Sequence, residues 1–265
     1  MRRAAALLLA ALLAPAARAQ TPPPLPSPAD APLKLRMSEI ELGASRESLT
    51  GGRADWTSTS LEGVHRFGPR QTLYGGVREA ERFSLRDTEV WAGYYHPLGE
   101  KWTALVEASA SGQHNVLPKS SFYGQLSRQL PDGWGLSAGL RHSEYTLSKV
   151  NLLVLGAERY FGSWRAGYTL YAGRPEGAQT GLAQRVALSY YYGDGSYAGI
   201  AATSGREVEN VGPPVGVTST NVRNLTLTGR HWFSRDWGLS WDIGAQEQGS
   251  LYRREGFRVG LRYRF

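Results

Sequence analysis

The stretch LRHSEYT sets His142 beside Ser143, a base next to a hydroxyl, the two residue types of an activated nucleophile. On an extended strand, sequence neighbours point to opposite faces, and a serine nucleophile needs its base within hydrogen-bond reach. The pair is therefore expected to be two ordinary residues near a rim. The histidines His65, His96, His114, His142 and His231 form no HxH or HxxxH spacing, so no metal site is expected; His96 is read as a turn-side boundary residue. GREVENV puts Glu207 and Glu209 two apart, on one face of an extended segment. Such carboxylates can do acid–base work or bind calcium, but on an outer loop they are ordinarily solvated. There is no Walker loop or dinucleotide fingerprint, and NLT at 224–226 matches a glycosylation tripeptide by chance within a strand. No catalytic residue, metal or cofactor is assigned, and the chain is not expected to be an enzyme.

The remaining chemistry is carried by charges at a spacing of two. In REGFRVGLRYRF, Phe257, Val259, Leu261, Tyr263 and Phe265 fall on one parity; Gly256, Arg258, Gly260, Arg262 and Arg264 fall on the other. That period belongs to a strand with one apolar and one polar face. Strand 237–249 repeats it, with Trp237, Leu239, Trp241, Ile243 and Ala245 against Gly238, Ser240, Asp242, Gly244 and Gln246. Strands 134–146 and 164–174 do the same, whereas the alternation blurs in 55–67, 149–161 and 196–206.

Such strands recur along the whole chain from Leu35. The expected set is 35–47, 55–67, 71–82, 86–97, 102–113, 120–130, 134–146, 149–161, 164–174, 181–192, 196–206, 219–233, 237–249 and 252–265, about fourteen in all with twelve as the alternative. Tight turns (Gly68-Pro69-Arg70, 98–101, Pro131-Asp132-Gly133, Gly162-Ser163, Gly193-Asp194-Gly195, 234–236) alternate with more variable connections at 114–119, 175–180 and 207–218. Those near 83–85 and 147–148 are very short. The pattern predicts an all-β, antiparallel up-and-down transmembrane barrel with both termini periplasmic. In lipid every backbone polar group must be paired, so the sheet has to close.

Aromatics cluster beside the tight turns. Trp102, Trp134, Trp164, Trp232, Trp237 and Tyr263 are assigned to a girdle at the membrane–water boundary, where an amphipathic ring sits half wet. A soluble sandwich would bury its tryptophans centrally.

The start fixes the expected compartment. MRRAAALLLAALLAPAARAQ has two arginines, an apolar run and an Ala17-Arg18-Ala19 site, the layout of a signal peptide over 1–19. The run is too short for a spanning helix of ~20 residues. Loss of Arg2, Arg3 and Arg18 would lower the formal charge of +7 by three, so much of the basicity is targeting signal and nucleic acid is not an expected partner. Thr21 to Pro32 holds six prolines and reads as a periplasmic tether over 20–34, leaving 35–265 as one barrel. The absence of cysteine excludes a disulfide scaffold.

On this reading Glu39, Glu41, Glu89, Glu107 and Asp242 are lumen acids, and Arg78, Arg141, Arg165, Arg185, Arg230, Arg258, Arg262 and Arg264 are lumen bases. They either pair across strands as a closed network or line a conduit for anionic or hydroxyl-rich solute. A barrel of this strand number is wider than one filled by its own side chains and narrower than an open porin.

Several stretches together resemble the YaiO family of outer-membrane β-barrels: DTEVWAGYYHPLG (87–99), NVLPKSSF (115–122), VNLLVLGAERYFGSWRAGYTLY (150–171), GREVENV (205–211) and YRREGFRVGLRYRF (252–265). The resemblance covers most of the chain from about residue 36. It implies a bacterial outer-membrane location, a single barrel, and a role in the cell envelope or in exopolysaccharide transport; it supplies no catalytic residues. Phe265, an aromatic ending an alternating strand, is similar to the signal read by barrel-assembly machinery in outer-membrane proteins. The lipid bilayer, that machinery and envelope saccharide are the implied partners. The alternative function is a closed structural or interaction barrel; a barrel enzyme is the third reading.

Overall fold

The computed structural model describes residues 38–265 except 178 and 212–214. The expected signal peptide (1–19) and proline-rich tether (20–34) lie outside the described residues. Strands follow one another around the sheet: β1 (Ser38–Leu49), β2 (Trp56–Gly68), β3 (Gln71–Arg82), β4 (Leu85–Pro97), β5 (Trp102–Ser111), β6 (Ser120–Gln129), β7 (Trp134–Glu144), β8 (Lys149–Phe161), β9 (Trp164–Pro175), β10 (Gly181–Tyr192), β11 (Ser196–Asn210), β12 (Val217–Trp232), β13 (Trp237–Gln248) and β14 (Tyr252–Arg264). Each pairs antiparallel with the next, and β1 pairs with β14 from Glu39↔Arg264 to Leu49↔Arg254. The ring therefore has no edge strand, which is what a sheet facing lipid requires.

The period of two predicts which side chains face out, and the faces sort accordingly. Large apolar residues stand exposed on the outer wall, such as Leu42 at 63% and Leu140 at 64%; a soluble monomer would not leave so continuous an apolar surface bare. The buried parity carries carboxylates, guanidiniums and hydroxyls, so the interior is the polar side. An even number of strands puts both chain ends of the barrel at one end, here the terminus end, together with the tight turns. The opposite, loop end carries the connections that follow β1, β3, β5, β7, β9, β11 and β13.

Strand bounds match the sequence expectation closely, with one instructive departure. The segment 207–218, expected as a loop, is mostly ladder: β11 runs on to Asn210 and β12 starts at Val217, with Glu207↔Thr220 and Glu209↔Thr218 in register. Two acids and an asparagine suggested a solvated loop, but threonine partners continue the pairing. The β3–β4 turn is made by Phe83 and Ser84, both at positive φ (53° and 62°), a conformation side chains rarely adopt. Packing holds it there: the Phe83 ring lies edge-on to Trp56 at 5.1 Å and to Tyr252 at 6.2 Å.

Candidate functional site in the lumen and its mouth

Three groups of side chains occupy the bore. The first is a row of register partners across five strands: Tyr74↔Gly93, Gly93↔Glu107, Glu107↔Tyr123 and Tyr123↔Arg141. Tyr74 Oη donates to Glu107 Oε2 at 2.5 Å, and Arg141 donates to Glu107 Oε1 at 2.9 Å. Tyr74 can reach across β4 only because position 93 has no side chain; a Cβ there would strike the Tyr74 ring. Arg141 crosses the Tyr123 ring at 4.7 Å, a cation–π contact that supports it on the way. Tyr74, Tyr95, Leu105 and Tyr123 form a buried cluster joined by Val64, Trp91 and Val154. Beside this row, Arg78 meets Glu89 at 2.6 Å.

A second network spans β13, β14, β1 and β2. Arg258 meets Glu41, Glu62 at 3.2 Å and Asp242 at 4.0 Å. Arg262 meets Glu39 at 2.9 Å and Glu41 at 2.7 Å, and Arg66 meets Glu39 at 2.8 Å. Gly43 makes room for this path, since a Cβ there would stand 2.9 Å from the Arg258 guanidinium. On the opposite wall Arg165 meets Glu158 at 2.7 Å.

The third group lies at the loop end. Residues 112–119 fold inward, and buried Val116 and Leu117 pack with Ala80, Phe83 and Leu85. The fully buried Asp87 holds them: its Oδ1 accepts from the Asn115 backbone N–H (2.9 Å) and Nδ2 (3.1 Å). Its Oδ2 accepts from the Val116 (2.8 Å) and Leu117 (2.7 Å) N–H groups. Fixed amide donors of this kind satisfy a buried carboxylate without a cation. The end of β11 bends over from the other side: Asn210 Nδ2 donates to the Val116 carbonyl at 3.2 Å, and Arg254 meets Glu209 at 3.1 Å and Glu47 at 3.5 Å. Val211, Trp56 and Tyr252 make a buried cluster there, with Arg82 at 4.5 Å and Arg254 at 4.7 Å from the Trp56 ring.

Beneath these segments lies a cavity of about 140 Å³ lined by Arg78, Arg82, Arg141, Glu207, Tyr145 and Tyr171 among others. Tyr145 sits in the turn at 145–148, and burial pushes its hydroxyl up to about 12, so it stays a donor. A Cβ placed on inward-facing Gly167 of β9 would find nothing within 4 Å.

Each expected lumen residue takes the inner parity. Glu89, Glu107, Arg141, Arg165, Asp242, Arg258 and Arg262 enter the ion pairs above, while Arg185 stands apart on β10, opposite Thr169 and Thr203. Trp102, Trp134, Trp164 and Trp237 are exposed on the outer wall by the tight turns, and Tyr263 stacks on Phe265 beside Trp237. Trp232 departs from the expected girdle: it shares the inner parity of Arg230 on β12, and Arg264 lies 4.1 Å over its ring. His142 faces outward to Asn151 (2.8 Å) and Ser143 inward to Ser121 (3.0 Å), so the two are on opposite faces. Among the described residues no group of three or more His, Cys, Asp or Glu is placed to hold a metal.

Sequence reasoning missed Asp87, Glu47, Glu62, Arg66, Arg82, Glu158 and Arg254. Parity alone would have placed Arg254, which continues the series Arg258, Arg262. Asp87 gave no signal, because its partners are backbone amides.

A fold of this kind is shared by many barrels, and the family is decided by sequence. The family model described as the YaiO membrane beta barrel domain matches residues 37–210. The chain belongs to the YaiO family. No curated protein sequence matches it. Among solved structures, this YaiO barrel is similar to a bacterial polysaccharide outer membrane secretin (8% identity, 87% of this chain and 99% of the other, TM-score 0.55). It is also similar to the KdgM porin (17%, 85% and 99%, TM-score 0.46) and to Salmonella typhi OmpF in complex with daunomycin (10%, 86% and 97%, TM-score 0.48). At these identities the likeness is one of fold: an outer-membrane β-barrel.

Proposed function

We propose that this YaiO barrel is a narrow outer-membrane conduit for small hydroxyl-rich or anionic solutes, envelope saccharide among them, held closed at the loop end in the state described. The observation that carries the reading is the Asp87 latch. This carboxylate accepts four of the hydrogen bonds that hold residues 112–119. The rest are loop and packing contacts outside the strand ladder, so the segment can leave the bore without unfolding the wall. The free space beside Gly167 supports a path along β9 to β11 once the mouth opens. Export through a cleaved signal peptide, recognition of Phe265 by barrel-assembly machinery, and a terminus end facing the periplasm belong to the same reading. Catalysis is no part of it.

A second reading is favoured by a different observation. The Arg258–Arg262 network ties four strands together and the Tyr74 cluster reaches Val154, as in a barrel that serves only as a closed structural or docking element. Single-channel conductance of refolded protein in a planar bilayer separates the two. The conduit predicts rare openings that a large neutral sugar polymer blocks; lasting silence after proven insertion supports the closed barrel.

A further inference from the structure

The inner-face arginines divide into two classes. Those in the networks above each meet a carboxylate within 4.0 Å. Arg82, Arg185 and Arg230 form no ion pair among the described residues. These three lie at three depths: Arg230 two residues from the terminus end of β12, Arg185 midway along β10, and Arg82 at the loop end of β3.

Their surroundings differ from those of the paired arginines. Arg230 is braced by neutral groups, with Nε donating to the Gly195 carbonyl at 2.9 Å and the guanidinium 5.6 Å from the Tyr197 ring. Arg82 stacks on Trp56 and lines the cavity under the folded-in segments. Arg185 has a threonine opposite it on each neighbouring strand, Thr169 and Thr203, and alanines 183 and 187 above and below on its own face. These neighbours are small, Tyr171 on β9 stands within electrostatic reach, and the Arg185 side chain makes no hydrogen bond among the described residues. The nearest carboxylates, Glu39 for Arg230, Glu207 for Arg185, and Glu209 and Glu47 for Arg82, act on them only from beyond ion-pair distance. A cation not locked in a direct pair in a confined polar space raises the local concentration of anions. A guanidinium fork flanked by hydroxyls suits a carboxylate on a hydroxylated carrier.

We infer that Arg230, Arg185 and Arg82 form a stepwise anion path through the bore, with Arg185, Thr169 and Thr203 as a central binding step for a carboxylate-bearing, hydroxyl-rich solute. The inference rests on the conduit reading and adds its charge selectivity and the residue that sets it. Spacing these charges over the length of the bore gives several weak sites, which is what conduction needs.

The test uses the full-length folded protein with the loop-end latch released by Asp87→Ala, so that conduction is not limited by the mouth. Reversal potentials in a potassium chloride gradient should show a preference for chloride. Arg185→Gln should reduce that preference about fivefold, the weight of one unit charge at contact distance in a water-like medium; Arg185→Lys should retain it. Arg159→Gln, on the outer wall, should leave it unchanged. Glucuronate binding to detergent-folded protein, read by saturation-transfer NMR, should disappear in Arg185→Gln and survive in Arg185→Lys. Unselective conduction with no glucuronate signal would overturn the anion path while leaving the conduit standing. A silent bilayer would overturn the conduit, and then glucuronate binding that depends on Arg185 would retain the central step as a binding site. Binding indifferent to position 185 would overturn that as well.

Discussion

The Leu117 backbone N–H donates to Asp87 Oδ2 at 2.7 Å across a sequence separation of 30 residues. This contact, with its neighbours at Asn115 and Val116, ties a connection between β5 and β6 to the inner wall at β4. A buried carboxylate that accepts several amide protons is a fixed point, because each bond to a charged group contributes ~1.5–3 kcal/mol and no water can substitute for them in place.

Replacement of Asp87 by alanine should free residues 112–119 while leaving the strand ladder intact. The expected outcome is a loss of ~2–4 kcal/mol in urea unfolding and fast amide exchange confined to 115–117. Exchange that stays slow in those amides would contradict the latch.

The Glu107–Arg141 pair should behave as a coupled unit. Glu107→Gln alone removes the carboxylate shared by Tyr74 and Arg141 and should destabilise by ~3–5 kcal/mol, whereas adding Arg141→Met should recover much of that loss. A double-mutant cycle in urea measures the coupling, and additive losses would contradict it.

Gly93 should tolerate no side chain. Gly93→Ala pushes the Tyr74 ring off its line to Glu107 and should destabilise by ~1–3 kcal/mol through overpacking. Tyr74→Phe in the same background should then have little further effect, since its hydrogen bond is already gone.

The tryptophans should divide by face. Lipids brominated near the headgroup should quench Trp102, Trp134, Trp164 and Trp237, so Trp164→Phe should lower the quenchable fraction. Trp232→Phe should not, because its ring stands inside the terminus end between arginines.

Much of this architecture was legible in residue parity. Phe257 to Phe265 and Trp237 to Ala245 alternate cleanly because lipid demands one apolar face and the bore tolerates only small or polar groups on the other. The blurred strands were blurred for a physical reason: Val64, Leu152 and Val154 take inner positions, where they pack on the cluster of Tyr74, Tyr95, Leu105 and Tyr123 or line the mouth cavity instead of facing lipid. The extension of β11 through Glu207-Val208-Glu209 was hidden because its acids turn inward to Arg254 and the cavity, a contact that only the closed ring creates. Trp232 misled because position beside a turn was read before parity. The Asp87 latch was beyond sequence reasoning, since backbone amides leave no mark on composition.

The most direct test of the gate exploits a chain that has no cysteine. Ala80 and Leu117 belong to one buried cluster, Ala80 on the wall and Leu117 on the folded-in segment. In an Ala80→Cys, Leu117→Cys protein, a disulfide would fix the segment in the bore. Single-channel recording before and after reductant, with bond formation checked by mass spectrometry, reads the consequence. The account predicts silence when oxidised and polymer-blockable openings when reduced. Identical conductance in the two states, with the disulfide shown to form, would contradict the claim that residues 112–119 close this barrel.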